Sequence, residues 1–396
     1  MDGVQIQGSA AEGFEPVREA FAANFREYGE LGAAFALYHR GRKVVDLWAG
    51  DARPEVGGRP APAVAWQADS TQVLRSVTKG ATAAAALLLA QRGELDLDAP
   101  VAQYWPEFKA AGKERIPVRW LLSHRAGLPA LDRQLRVGEV LAWEPAVAAV
   151  AAQRPFWEPG TAHGYHPYTY GWLVGEVVRR VSGRTVGRYF AEEIAEPLGL
   201  DLWIGLPARV AARVGRLVDL PRPADPDGGL RLRPRRGVVE AYQDPQSLTA
   251  RSFAAVSPKL DLNDPVVQAA EIPGANGIGT ARAVARFYAA LIGATEQGTA
   301  LFDRFTLAEA MGPASDGPDR VLVVNSRFGH GYFRHGPTSP MSSPAAFGHP
   351  GRGGALGFAD PELGLAFGYV TCGMQPGVTG DIRSRRLIAA VRSCLE

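Results

Sequence analysis

Hydrophobic periodicity divides this 396-residue chain into three stretches of different character. In the first, Phe14, Val17, Phe21 and Phe25 recur at helical spacing, which predicts an amphipathic helix over Glu12 to Glu30. Two β-rich runs follow, Gly32 to Tyr38 and Lys43 to Ala49, with His39-Arg40-Gly41-Arg42 between them as the turn of a hairpin. Asp51 to Ala65 is dense in Pro and Gly and reads as a loop. The most apolar and helix-prone run of the chain, Ala83 to Ala90, then predicts a buried central helix from about Ser76 to Gln91, with Gly93 placed to end it.

From there to about residue 250 the signals are helical. Leu95 to Phe108 is turn-rich, and helices are predicted over Pro117 to Ser123, Trp143 to Gln153, Tyr170 to Val181 and Val186 to Ile194. Beyond Pro273-Gly274-Ala275-Asn276-Gly277, Thr280 can cap a helix over Ala281 to Ile292. The last third changes period again. Val321 to Val324, Phe328 to Phe333, Ala355 to Phe358 and Gly364 to Thr371 read as strands, and Arg383 to Leu395 as a closing helix. Strands at both ends with a helical block between them predict an α+β fold. The two ends would pair into one antiparallel sheet flanked by terminal helices, with the block packed alongside and Ser76 in the cleft. This divides a single domain into an α/β part, roughly residues 10–75 and 255–396, and a helical part, roughly 76–254.

Composition narrows the function. With 46% hydrophobic residues, 21% charged residues and a net charge of +2, nothing steers the chain toward nucleic acid or an anionic membrane. The basic cluster Arg231 to Arg236 follows a Pro/Gly/Asp stretch and reads as an exposed loop. Cys372 and Cys394 make no redox or metal spacing and are expected to be reduced and structural. No leader-like or membrane-spanning run is visible, so a cytoplasmic location is expected, as is the absence of any cofactor.

The chemistry centres on Ser76-Val77-Thr78-Lys79. At a spacing of three residues in a first helical turn, the two side chains share a face, and Lys79 is placed to take the Ser76 proton. The spacing alone fits equally a capping serine and a solvated lysine. Two further elements add weight. A Gly/Pro-dense loop, Trp157 to Leu173, delivers Tyr165 ahead of a helix, and Phe347-Gly348-His349-Pro350-Gly351-Arg352-Gly353-Gly354 offers glycines and backbone N–H groups to an oxyanion. There is no Gly-x-Ser-x-Gly elbow. His163 and His166 are separated by residues unsuited to a helix that would aim both at zinc, and His124 reads as a structural hydrogen bonder. Tyr168, Trp157 and Phe347 fit either an acyl pocket or the core.

Together these residues resemble the serine β-lactamase and penicillin-recognising family, its class C-like branch, and within that the family VIII carboxylesterases. The likeness also takes in Leu121 to Leu128, Asn276-Gly277 and Gly357 to Glu362, and so nearly the whole chain. It implies Ser76 as nucleophile, Lys79 as its partner and Tyr165 as a second proton-transfer residue. The oxyanion hole would come from the N–H of Ser76 and that of Arg352, just after His349, Pro350 and Gly351. For Tyr165 to act as a base near neutrality its pKa must fall by about three units, roughly 4 kcal/mol, and a cation about 4 Å away could supply that; Lys79 is the candidate. Two departures bear on substrate. Pro167 stands where the β-lactamases carry the Asn of Tyr-x-Asn, and His349 where their third motif carries lysine. Both weaken recognition of an anionic, amide-bearing lactam and spare a neutral ester. The expectation is a serine carboxylesterase for short-chain esters with weak β-lactam turnover. An acyltransferase of the same fold, or a penicillin-binding protein that acylates and stalls, are the rivals.

Overall fold

A computed structural model describes residues 4–54, 64–221 and 236–396. Among these, nine strands form one antiparallel sheet. In chain order they are β1 (Gln7–Ala10), β2 (Gly32–His39), β3 (Arg42–Gly50), β4 (Ser315–Pro318), β5 (Asn325–Phe328), β6 (Phe333–Arg334), β7 (Phe347–Pro350), β8 (Leu356–Asp360) and β9 (Leu365–Thr371). The spatial order is β1-β3-β2-β9-β8-β7-β6-β5-β4. The two chain ends therefore join where β2 pairs β9, with Ala36 opposite Gly368.

The period of two along β2 sorts its side chains into two cores. Ala33, Phe35 and Leu37 face Val17 and Phe21 of α1 (Glu15–Glu27) and Leu387, Ile388 and Val391 of α5 (Ile382–Ser393). Ala34, Ala36 and Tyr38 join the second core, which holds α2 (Thr78–Gln91), α3 (Thr169–Ser182) and α4 (Ala281–Leu291). Helix α4 lies close on the sheet because Gly368 has no side chain: a Cβ there would stand 2.4 Å from the Ala281 carbonyl oxygen.

Helix α2 is buried almost throughout, from Thr78 to Leu89. Its alanines pack close to neighbouring elements, and Leu87, Leu88 and Leu89 each contribute about 1.5–3 kcal/mol of burial. Gly93, at φ 74°, ends it as predicted. Its start differs from the expectation: Arg75–Val77 form a separate 3₁₀ turn and the α-helix opens at Thr78. Arg75 is held at φ 55°, a conformation uncommon outside glycine, so the chain bends sharply just before Ser76.

Two predicted strands are not strands. Val321 to Val324 form the turn between β4 and β5, because the Asp319 carboxylate captures the N–H groups of Val321 and Leu322 and Val323 takes φ 57°. Phe328 to Phe333 is the end of β5, a glycine turn, and the start of β6. Strands β1, β4 and β7 were not predicted. Cys372 is buried and Cys394 partly so, and they are unpaired. The basic cluster Arg231 to Arg236 lies outside the described residues, apart from the Arg236 backbone, which opens a helix running to Gln243. Most of the Asp51–Ala65 loop also lies outside them; its two ends pair with each other. Among the described residues, no helix is long and apolar enough to cross a membrane.

Candidate active site

Ser76 sits where the 3₁₀ turn meets α2, with Lys79 one turn on. The Lys79 ammonium nitrogen, wholly buried, lies 3.3 Å from Ser76 Oγ. Its other contacts are backbone carbonyls: Nζ donates to Pro167 at 2.8 Å and to Gly274 at 2.6 Å. Among the described residues no carboxylate neutralises it; burial, with Arg75 adding like-charge repulsion, drives its pKa well below the ordinary lysine value.

The loop that presents the Gly274 carbonyl is itself anchored. Asn276 Nδ2 donates to the carbonyls of Val267 (2.8 Å) and Ala270 (2.7 Å), and its Oδ1 accepts from Ile272 N–H at 2.9 Å, which shapes the loop that presents Gly274. Gly277 N–H donates to Thr78 Oγ1 at 2.8 Å, fastening that loop to the first residue of α2.

Tyr165 is 4% exposed, and its hydroxyl lies next to the Ser76 side chain. Lys79 Nζ stands 4.9 Å from its ring centroid. Burial pushes the phenol far above its ordinary pKa; the Ser76 side chain and the Arg75 charge only partly offset this. The expectation that Lys79 would lower the Tyr165 pKa is therefore overturned. In a site this dry, desolvation disfavours both the phenolate and the ammonium, and both residues are held toward their neutral forms.

Asp319, not singled out from the sequence, fixes the Tyr165 backbone. Its carboxylate accepts from the Tyr165 N–H at 3.0 Å, from Val321 and Leu322 at 2.8 Å each, and from Ser326 Oγ at 2.9 Å. A turn-forming aspartate was legible in Gly317-Pro318-Asp319-Arg320. Its reach to a tyrosine 154 residues away was not.

His349 lies on β7 and is 1% exposed. Its Nδ1 donates to the Pro350 carbonyl at 2.8 Å, its ring centroid is 6.0 Å from that of Tyr165, and burial drives it well below the usual histidine pKa. It is thus beneath the tyrosine rather than at an open surface, and neutral. Gly351 touches the nucleophile turn: a Cβ there would lie 2.5 Å from the Leu74 carbonyl oxygen and 3.4 Å from Arg75 Cβ. Within the loop, Gly351 N–H donates to Ala355 (2.7 Å), Gly353 to Gly377 (3.2 Å) and Gly354 to Gly351 (3.1 Å). Among the described residues the Arg352 N–H has no such partner, and its side chain is exposed.

The histidines of the second motif serve the scaffold. His166 donates to the Gly164 carbonyl (2.6 Å) and accepts from Leu128 N–H (3.1 Å); His163 bonds Ser326 Oγ (2.9 Å). His124 Nδ1 accepts from the His166 N–H at 3.2 Å, and its ring packs 5.0 Å from that of Tyr165. Trp157 is pinned by the Ala162 carbonyl at 3.0 Å, and Phe347 is buried against Tyr332. Tyr168 is also buried.

The fold that carries this serine, lysine and tyrosine has counterparts among known proteins. The beta-lactamase family model matches residues 17–392. The chain belongs to the beta-lactamase family. It is 37% identical over 381 residues to the esterase/beta-lactamase LipL of Mycobacterium tuberculosis, covering 93% of this chain and 83% of that protein. Among solved structures it resembles a family VIII carboxylesterase at 38% identity and a TM-score of 0.85, covering 98% of this chain and 100% of that one. A penicillin-binding protein homolog from Caulobacter crescentus superposes at a TM-score of 0.84 and 37% identity, covering 98% and 100% of the two chains.

Proposed function

We propose that this beta-lactamase-family protein is a serine carboxylesterase that works through an acyl-enzyme on Ser76. The observation that carries the mechanism is the pair of carbonyls on Lys79. A neutral amine has two N–H bonds and one lone pair; with Pro167 and Gly274 taking the N–H bonds, the lone pair is left for the Ser76 hydroxyl at 3.3 Å. Lys79 then takes the Ser76 proton as Oγ attacks the ester carbon. Developing negative charge on the carbonyl oxygen is met by backbone N–H groups, those of Ser76 and Arg352. As the tetrahedral intermediate collapses, the protonated Tyr165 gives its proton to the leaving alkoxide and recovers one from Lys79. Water then enters, and the same pair runs in reverse to release the acid.

The substrate reading rests on Pro167 and His349. Pro167 contributes its carbonyl to Lys79 and no side-chain donor to a ligand, and His349 is buried and neutral. Neither supplies the amide donor or the cation that an anionic lactam would need, whereas a simple ester needs neither. The names of the relatives, esterase and family VIII carboxylesterase among them, support the same class. The test is Ser76→Ala assayed on p-nitrophenyl acetate, butyrate and a chromogenic cephalosporin. Hydrolysis of all three is expected to vanish with the fold intact, and wild type is expected to prefer the esters. Retained esterase activity in the variant would refute the assignment. The rival of a stalled penicillin-binding protein would show as a stoichiometric burst of p-nitrophenol with no turnover.

A further inference from the structure

The loop from Gly351 to Gly354 is clamped from below by a side chain 30 residues further on. Arg383, in the first turn of α5, is fully buried, and its Nη2 donates to the Gly353 carbonyl at 2.7 Å. The same carbonyl accepts from Gln375 N–H at 3.1 Å. The rest of the guanidinium is fully engaged. Nη1 donates to Glu30 (2.8 Å) and Thr371 Oγ1 (3.3 Å), and Nε and Nη2 meet the two oxygens of Asp381 at 3.0 and 3.1 Å. Glu30 is held in turn by Thr371 Oγ1 at 2.7 Å, by Leu31 N–H at 3.0 Å and by the Tyr369 hydroxyl.

One arm of this network leaves the ion pair to end on the loop. Gly353 and Gly354 sit at φ 97° and 127°, and a Cβ on Gly354 would stand 2.5 Å from Arg383 Nη2, so the loop closes directly onto the guanidinium. Among the described residues, every N–H from Gly351 to Gly354 has a protein partner except that of Arg352. The peptide that carries the free N–H is thus bracketed by fixed ones, and the Gly353 carbonyl is the fixed point nearest to it that a side chain controls.

We infer that Arg383 is a positioning residue for the oxyanion hole: it holds the Gly353 carbonyl, and through it aims the Arg352 N–H at the carbonyl oxygen of the substrate. The inference rests on the esterase reading, in which that N–H is an oxyanion donor. A donor displaced by a fraction of an ångström weakens binding of the tetrahedral state more than that of the ester, so the effect belongs in kcat rather than KM.

The test compares three variants of the full chain on p-nitrophenyl butyrate, each with its unfolding midpoint measured. Arg383→Lys keeps a cation for Glu30 but loses the fork that reaches Gly353; kcat is expected to fall about tenfold to a hundredfold with KM within twofold. Glu30→Gln breaks the ion pair without touching the loop, and is expected to lower the midpoint while leaving kcat within about threefold. Gly354→Ala strains the loop at its φ of 127° as well as pushing the guanidinium off it, so should Arg383→Lys fail to fold it carries the refuting half of the test: kcat is expected to fall with KM held. Equal losses of kcat in Arg383→Lys and Glu30→Gln, or an unchanged kcat in Arg383→Lys or Gly354→Ala, would overturn the inference. Such results would leave the esterase reading standing if Ser76→Ala remains inactive; an active Ser76→Ala would remove the reading beneath it.

Discussion

Two lysines in this protein are fully buried, Lys79 and Lys113, and the difference between them shows what the site adds to ordinary burial. Lys113 donates to three backbone carbonyls, Ala110 at 2.7 Å, Ala151 at 2.9 Å and Gln153 at 2.7 Å. All three of its donors are satisfied, and burial lowers its pKa only to about 8. Lys79 has two carbonyls, and its third direction points at Ser76 Oγ. Its pKa is driven well below the ordinary lysine value, by burial first and then by Arg75. Lys113 ties strands of backbone together as a cation. At Lys79 a hydroxyl stands where Lys113 has its third carbonyl, and in the proposed mechanism that exchange makes a base beside a nucleophile.

The comparison breaks most easily at the lysines themselves. Lys79→Met is expected to lower kcat/KM on p-nitrophenyl butyrate at least about a thousandfold, toward the upper end of what a positioned base contributes, with the circular dichroism spectrum unchanged. Lys113→Met should do the reverse: near-native kcat/KM, and a loss on the order of 3 kcal/mol in chemical denaturation because three buried carbonyls are left without donors. Equal effects of the two substitutions on activity would erase the distinction.

Tyr165→Phe sharpens the division of labour. If Tyr165 acts as the acid in acylation, its loss should cost about a hundredfold in kcat/KM, which reports that step, on an alkyl ester and markedly less on a p-nitrophenyl ester, whose leaving group needs no proton. The same loss on both would instead indicate a base at Tyr165. Asp319→Ala, which frees the Tyr165 N–H and unties the 319–322 turn, should lower kcat about tenfold with little change in KM; an unchanged kcat would show that the tyrosine is placed by its other neighbours.

The smallest effect concerns pH and stability. Lys113 has a lower pKa folded than unfolded, so below about 8 both states bind its proton and between there and about 10.4 the unfolded state binds more. Stability contributed by this site therefore rises with pH across that window and is lost as pH falls through it. The difference in unfolding midpoint between wild type and Lys113→Met should grow from pH 8 to pH 10; a constant difference would contradict the shift.

What was legible in the sequence followed periodicity and chain order. The β-rich run Gly32 to Tyr38 and the alanine-leucine run of α2 specify their structures locally, and Ser76, Lys79 and Tyr165 stood out as side-chain chemistry. Strand β7 was missed because Phe347-Gly348-His349-Pro350 carries little β preference of its own; pairing with β8 on one side and β6 on the other makes it a strand. Val321 to Val324 misled because four residues of strand composition are captured by one aspartate. The decisive partners of Lys79 are backbone carbonyls of Pro167 and Gly274, and a carbonyl has no letter in a sequence. The direction of the Tyr165 shift was misjudged for a related reason: a neighbouring charge can be guessed from a motif, but the depth of burial that outweighs it cannot.

The central claim is that Lys79 is a neutral amine when it meets Ser76. With five lysines in the chain, protein labelled with ¹⁵N at lysine Nζ gives few enough resonances to assign by Lys79→Met and Lys113→Met, and each can be followed from pH 5 to pH 11. The account predicts that the Lys79 nitrogen titrates well below the ordinary lysine value of about 10.4 and below Lys113, and that the acid limb of kcat/KM follows it, activity falling as the amine gains its proton. A Lys79 resonance that remains that of an ammonium through pH 10, while the enzyme is fully active at pH 8, would contradict it.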